Sequence, residues 1–454
     1  MTLLTDRTAE TGLTFCDLTQ AYASTSGGIR TYIDAKSSCL ARYTAHRHVL
    51  IVPGERDTCT GGDNRRLYTV AAPRVPKCHP YRFILRLDKV VAILRREMPH
   101  LIELGSPYVL PWTALFHRAR RRCAVVGFYH TDFPTAYVRP AARALAGERP
   151  ARLAERAALG YAANVFSRFD ATLVASEALA GKLEGAGVTN VIQVSLGVDT
   201  EVFHPSRRDP EVRRLLGIGE GERLFVYAGR LDREKRVEWL VRAFQATAPA
   251  LRGVLAVVGD GPLRPFLERR ASEDQRLRVL PFISERTELA RLLASSDIYV
   301  TAGPYETFGL SVAEAQACGL PVIGVRAGAL LDRVPPHVGR LIETGDAAGL
   351  SAAMIEFGHA DLRNLSAAAR ELVERSISWK ASFERLLPLY ESLAARTAAR
   401  PAMQPSFEAE PEPPRGDQRD VRCESRRGLP AMPAGDAGSA ATGRSRSGRA
   451  ATRG

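Results

Sequence analysis

Between about residues 13 and 395, short apolar runs ending in Gly or polar residues alternate with longer amphipathic stretches, and this alternation restricts the chain more than any other feature. An apolar run of four to six residues suits a strand buried on both faces, and a stretch with apolar residues three and four apart suits a helix packed over it. Strands alternating with helices build a mostly parallel sheet through β-α-β crossovers, which excludes helical bundles and antiparallel sandwiches. The first series predicts strands at Leu13–Leu18, His48–Val52, Leu101–Leu104, Ala124–Tyr129, Ala171–Ala175 and Val191–Val194, with helices at Gly28–Arg42, Ile84–Arg96, Arg152–Ser167 and Glu177–Glu184. The second predicts strands at Leu224–Ala228, Val254–Val258, Arg278–Pro281, Ile298–Thr301, Pro321–Val325 and Val338–Ile342, again separated by helices. At 454 residues the chain exceeds what one core holds. The expected fold class is therefore α/β, with two doubly wound, Rossmann-like parallel-sheet domains facing across a cleft.

Asp199 to Glu222, with Pro205, Pro210, Gly217, Gly219 and Gly221, reads as a linker carrying at most one short helix, which sets the domains at 1–200 and 201–377. After Trp379 the run Phe383, Leu386, Leu387, Leu389, Tyr390 and Leu393 predicts a last packing helix. Residues 397–454 are rich in Pro, Ala, Gly, Ser and Arg with almost no large apolar side chains. Such a segment buries too little to offset its chain entropy, so a disordered tail is expected.

The formal net charge of +13 raises the question of a polyanionic partner. Only six of the basic residues are Lys, and the Arg, Ala and Gly abundance matches a GC-rich coding bias. No aromatic-interleaved basic patch or recognition-helix motif is present, so nucleic acid is not an expected partner. Clusters at Arg65-Arg66, Arg95-Arg96 and Arg118 with Arg120, Arg121 and Arg122 suit either peripheral contact with anionic membrane or ordinary solvated helix faces. Seven cysteines without a C-x-x-C pair or a zinc-spaced His indicate no metal site and a reducing compartment. With no signal-like N-terminus and no run of about 18 apolar residues, a cytoplasmic protein is expected, at most on the cytoplasmic face of a membrane.

The chemistry concentrates in Tyr305-Glu306-Thr307-Phe308-Gly309-Leu310-Ser311, followed by Glu314. A strand ends in the loop holding Glu306, and a helix starting near Phe308 or Gly309 offers free N–H groups and the positive end of its dipole. Diphosphate suits Phe308, Gly309 and Leu310 there, with Gly309 allowing close backbone approach. Two turns in, Glu314 can accept from vicinal ribose hydroxyls, and Glu306 faces the sugar. Gly229-Arg230-Leu231-Asp232-Arg233-Glu234-Lys235 ends the first strand of the second series, where Arg230 and Lys235 can stabilise a leaving diphosphate without a metal. Two more strand ends, at Gly259-Asp260-Gly261-Pro262 and Pro281-Phe282-Ile283-Ser284, lie where a base would rest. In the first half, Gly27-Gly28 opens a helix whose amides can face donor phosphate or an acceptor anion, and His130 stands at a strand's carboxyl end in His130-Thr131-Asp132-Phe133-Pro134.

With these residues together, the chain resembles the retaining family-4 glycosyltransferases of the GT-B fold over about residues 10 to 395. Glu306 and Glu314 look like the family's E-x7-E motif, and Gly229-Arg230-Leu231 with Glu234-Lys235 looks like its G-R-L-x-x-E-K loop. Gly197-Val198-Asp199 with Phe203 and Pro205 resembles the segment leading into its second domain. The resemblance implies a nucleotide-sugar donor with Arg230 and Lys235 on the diphosphate, Glu314 on the ribose and Glu306 on the sugar hydroxyls. It places His130 close to the sugar and Gly27 and Gly28 in the first-domain glycine loop, while Gly259, Phe282 and Ile283 stand at the two strand ends where a base would rest. It also implies a final helix, 378–396, crossing back to the first domain, no cofactor, and no metal requirement. Transfer with retention follows, by front-face attack or double displacement. The His130–Pro134 string is most similar to the mannosyltransferase branch acting on lipid or glycan acceptors, which favours GDP-mannose over a UDP-sugar. The competing readings are a GT-B-type epimerase or phosphorylase, which should lack the paired motifs, and a non-enzymatic basic binding protein.

Overall fold

The computed structural model of the protein describes residues 12–22, 27–75 and 81–399. Cys78, Cys423 and the expected tail from residue 400 onward lie outside the described residues.

The first sheet contains Thr14–Leu18 (β1), Arg47–Gly54 (β2), Thr58–Gly61 (β3), Arg65–Ala71 (β4), Leu101–Leu104 (β5), Ala124–Phe128 (β6), Ala171–Val174 (β7) and Val191–Gln193 (β8). Its order is β3-β4-β2-β1-β5-β6-β7-β8, parallel except for β3, which runs antiparallel to β4. The second contains Arg223–Ala228 (β9), Gly253–Val258 (β10), Leu277–Leu280 (β11), Ile298–Val300 (β12), Val322–Val325 (β13) and Gly339–Ile342 (β14), all parallel in the order β11-β10-β9-β12-β13-β14. Both orders reverse beside their first strand, the switch point where such sheets open a crevice. Every residue of β1, β5, β6, β7 and β10 is buried, as in strands covered on both faces.

The expected strands are all present within a residue or two, but the β3-β4 hairpin was not anticipated. It is an edge feature whose β4 buries only Tyr68 and Val70, so it lacks the continuous run by which the others are recognised. The Leu110–Arg120 helix and the pair Arg139–Ala146 and Glu148–Phe166, entered through a π-helical turn at Pro134–Val138, were also not anticipated in full. The expected Ile84 start moves to Leu87. Between the units lie a 3-10 turn, Pro205–Arg207, and one short helix, Pro210–Leu215, whose Glu211 N–H donates to Asp209 at 2.8 Å.

The Trp379–Ala398 helix leaves the second unit and packs on the first, against the Gly27–Tyr43 helix, β5 and β6. The crossing is tight. A Cβ at Gly197 would sit 2.4 Å from the Trp379 Cα, and Val198 bridges to Ser378 in parallel fashion. Tyr390 then plugs a charged cluster inside the first unit. There the Lys36 ammonium, 1% exposed, donates to Asp17 at 2.7 Å and Glu103 at 2.6 Å. Tyr390 and Tyr32 both donate to Glu103, and His48 Nε2 meets Asp17 at 2.5 Å. Two buried carboxylates are held by one buried cation and its hydrogen-bonding collar.

Candidate active site

The second unit supplies most of the site from the carboxyl ends of β9 and β12. Past β9 the chain turns through Arg233–Lys235, with Asp232 accepting from the Lys235 N–H at 3.1 Å. This cap aims the Lys235 side chain toward the loop after β12, where its ammonium donates to Glu306 Oε1 at 2.6 Å. Arg230 does not meet Glu306. Its guanidinium is forked between Asp232 at 2.7 Å and Glu234 at 2.9 Å, carboxylates of its own loop. Burial pulls Arg230 down, but Glu234 and Asp232 reverse the effect and hold it above its ordinary value. Across from it stands Tyr137 of the Pro134–Val138 turn, whose hydroxyl is pushed up to about 12 by burial, with Glu234 adding to the effect.

Glu306 is fixed from behind. Its carbonyl accepts from Ala329 N at 2.8 Å, and Gly328, at φ +55°, lies so close that a Cβ would stand 2.6 Å from that oxygen. Three residues on, Gly309 takes the left-handed conformation (φ 76°) and caps the Leu310–Ala317 helix, one residue beyond the expected start. Gly28 faces this point, since a Cβ on it would lie 3.9 Å from Leu310 Cδ2. The start of the Gly27–Tyr43 helix therefore lies beside the start of the Leu310–Ala317 helix, so the positive ends of two helix dipoles are close together. The Tyr299 hydroxyl donates to the Ala228 carbonyl at 3.0 Å and accepts from Ser311 at 2.9 Å, tying the helix to β9.

Glu314 lies little more than one turn into the helix rather than two, and is buried. Burial raises its carboxyl, opposed by Arg286, which donates to it at 2.8 Å. Arg286 was missed in the sequence. It lies 28 residues earlier on the Arg286–Ser295 helix, and only its place after the β11 strand end could have signalled it. At that strand end Phe282 is exposed and Ile283 is half-buried. Gly259, at φ +150°, could not carry a side chain, because a Cβ would overlap the Gly229 carbonyl at 1.9 Å. The following helix starts at Arg264. Phe308 is buried beneath Arg333, whose guanidinium lies 4.1 Å from its ring and donates to its carbonyl at 3.1 Å. The sequence also gave no notice of Arg333, which reaches Ser195 of the first unit at 3.3 Å, or of Asp332, which accepts from the Glu177 N–H at 2.9 Å.

His130 belongs to the first unit's side of the cleft. Its ring stacks on Phe128, centroids 4.0 Å apart, and tilts against Tyr32 at 5.5 Å. Burial pushes its imidazole down to about 3, with the Lys36 ammonium adding to the effect. At neutral pH it is an uncharged ring with no low-pH charge to offer a phosphate. A group whose proton affinity drops on folding destabilises the native state where only the unfolded chain is protonated, here from about pH 6.5 down to about 3. Relative to His130→Phe, which keeps the stack, the wild type should lose about 1.4 kcal/mol for each pH unit below about 6.5. Denaturant titrations at pH 7 and 5 check this, and equal losses in both proteins would count against a neutral buried His130.

Among the described residues, no three His, Cys, Asp or Glu side chains come together as a metal site would need, and no helix is long and apolar enough to cross a membrane.

Two parallel α/β units facing across a cleft, with carboxylates, cations and helix starts gathered at their strand ends, define a two-domain glycosyltransferase of the GT-B fold. Residues 26–202 match the family model for Glycosyltransferase Family 4, and residues 222–359 match that for Glycosyl transferases group 1. A GDP-mannose-dependent alpha-(1-6)-phosphatidylinositol dimannoside mannosyltransferase of Mycobacterium tuberculosis is 31% identical over 325 residues, 70% of this chain and 81% of the relative. A GDP-mannose-dependent alpha-mannosyltransferase of Corynebacterium glutamicum is 30% identical over 363 residues, 77% and 82% of the two chains. The fold matches a sucrose-phosphate synthase from Thermosynechococcus elongatus with a TM-score of 0.67 at 21% identity, over 85% of this chain and all of that one. HepE from Anabaena, solved with UDP and glucose, gives 0.65 at 17% identity, over 84% of this chain and 100% of that one. The chain belongs to the family-4 glycosyltransferases and is a retaining hexosyltransferase.

Proposed function

We propose that the enzyme transfers mannose from GDP-mannose to a lipid-linked or glycan acceptor, with retention and without a metal ion. The observation that carries the site assignment is the Lys235–Glu306 contact of 2.6 Å beside the two neighbouring helix starts. In this reading the donor diphosphate lies between the Gly27-Gly28 and Phe308-Gly309-Leu310 amides. Lys235 and Arg230 meet the negative charge that builds as the glycosidic bond to phosphate breaks. Glu306 accepts from the sugar hydroxyls and keeps Lys235 in place. Glu314, oriented by Arg286, accepts from the ribose hydroxyls, and the base rests by Gly259, Phe282 and Ile283. His130, neutral and stacked, packs close to the sugar and can share one hydrogen bond with it. The acceptor hydroxyl attacks the anomeric carbon from the face the phosphate leaves. Its proton passes to the departing phosphate oxygen, so no protein base is needed.

The choice of mannose is supported by the His130-Thr131-Asp132-Phe133-Pro134 string and by the GDP-mannose dependence named for the relatives. A thermal-shift screen of GDP, UDP, ADP and their sugar conjugates, with and without EDTA, tests it without an acceptor. A ligand at about a hundred times its Kd stabilises the folded state by about 2.7 kcal/mol. GDP and GDP-mannose should raise the melting temperature equally in both buffers. A shift confined to UDP- or ADP-sugars would replace the donor, one abolished by EDTA would overturn the metal-free reading, and no shift with any nucleotide would remove the donor site.

A further inference from the structure

We infer that the outer face of the first unit formed by the Leu110–Arg120 and Glu148–Phe166 helices docks on an anionic lipid bilayer. The inference deepens the lipid-acceptor reading by naming the surface on which such an acceptor is met. On Leu110–Arg120, Trp112 and Phe116 are 44% and 42% exposed and stand four residues apart, so they share one stripe of the helix. Arg120 continues the stripe, its guanidinium 3.6 Å from the Phe116 ring centroid, and exposed Arg121 and Arg122 follow. No Asp or Glu occurs from Tyr108 to Arg122.

The neighbouring helix extends the same surface. Arg168, just past its end, lies over the Trp112 ring at 5.6 Å, and Tyr161 OH donates to the Tyr108 carbonyl at 2.9 Å. Its exposed positions include Arg149, Arg152, Leu153, Arg156 and Tyr161; the two acids of this helix are half-buried, Glu148 pairing with Arg152 at 3.2 Å and Glu155 with Arg139 at 3.5 Å, which leaves Arg149 and Arg156 in excess. Leu153 is 70% exposed, and Leu145, at the tip before this helix, is 88% exposed.

Water-facing helices ordinarily mix both charge signs and keep large apolar side chains inward. This face is strongly biased to arginine and leaves large apolar side chains outside. Its aromatics suit the headgroup boundary, where one end of the ring is apolar and the other wet, and its guanidiniums can reach phosphates while their stems stay with the apolar stripe. The charge selects an anionic bilayer over a zwitterionic one. The face also connects to the cleft: the Tyr108 ring meets Phe133 at 5.5 Å, and Phe133 lies three residues past His130. A bilayer seated here would present headgroups beside the donor site.

The test is flotation of the full chain with vesicles of phosphatidylcholine alone and of equimolar phosphatidylcholine and phosphatidylglycerol, with no donor or acceptor present. The wild type should float only with the anionic vesicles, and less as salt rises. Trp112→Ala/Phe116→Ala and Arg120→Glu/Arg121→Glu should each weaken binding, the charge reversal by on the order of a hundredfold or more. All substituted side chains are exposed, and the nucleotide-dependent melting shift of both variants should equal the wild type's, which separates lost docking from a lost site or fold. Wild-type protein that stays unbound overturns the inference. Variants that float as well as wild type also overturn it, placing the contact elsewhere in the chain. So does a wild type that self-associates through this face in sedimentation while ignoring vesicles.

Discussion

Lys235→Ala should lower turnover by at least about two orders of magnitude, the usual cost of removing a charge that stabilises the transition state. The ammonium is placed by two independent contacts, the Asp232 cap on its backbone and the 2.6 Å bond to Glu306. Truncation therefore removes the cation and also frees Glu306, whose carboxylate then adds repulsion next to a departing diphosphate. Glu306→Gln should be damaging too, but because the two side chains act as one unit the double variant should be barely worse than the worse single one. Lys235→Arg should rescue only in part, since a planar fork does not reproduce a compact ammonium. Steady-state kinetics with the preferred donor decide it. Turnover of Lys235→Ala within a few fold of wild type, or strictly multiplicative losses in the double variant, would remove Lys235 from the proposed chemistry.

The largest stability loss is expected from Lys36→Met, about 3–5 kcal/mol, because it strands two buried carboxylates. Burial alone would raise Asp17, yet Lys36 and His48 hold it at about 2. Without the ammonium both Asp17 and Glu103 would have to take up protons to stay inside. Carboxyl groups raised above their unfolded values give stability at low pH and lose it as pH rises, so the deficit should widen from about pH 4 to pH 8. Denaturant midpoints at several pH values measure it. A loss below about 1 kcal/mol that does not change with pH would mean that water or a rearranged His48 replaces the cation.

Much of this architecture could be read from residues alone because a strand buried on both faces has an unmistakable composition. Val254–Val258 and Ala124–Tyr129 leave no other element open, whereas the Thr58–Gly61 and Arg65–Ala71 hairpin, half solvated at an edge, offers only a weak alternation. Glu306, Lys235 and Gly309 were legible because each sits in a local string whose residue types are unusual together. Arg286 and Arg333 were not. Each acts through a partner far away in sequence, Glu314 for one and Phe308 with Ser195 for the other. Arg230 shows the opposite limit: the string marked it as a cleft-side cation but gave no sign that its own loop's carboxylates would occupy its fork.

The crossing helix also governs the order in which the molecule can be made. Tyr390 closes on Glu103, 287 residues earlier in the chain. Because contacts of such separation cannot form until the chain between them exists, the first unit leaves a ribosome with its charged cluster uncapped, and it waits while the whole second unit is synthesised. The second unit, whose strands lie between Arg223 and Ile342, has the strands of its own sheet before the Trp379–Ala398 helix emerges. Synthesis from the N-terminus thus yields a product whose later half matures first, and the earlier half is completed by the Trp379–Ala398 helix.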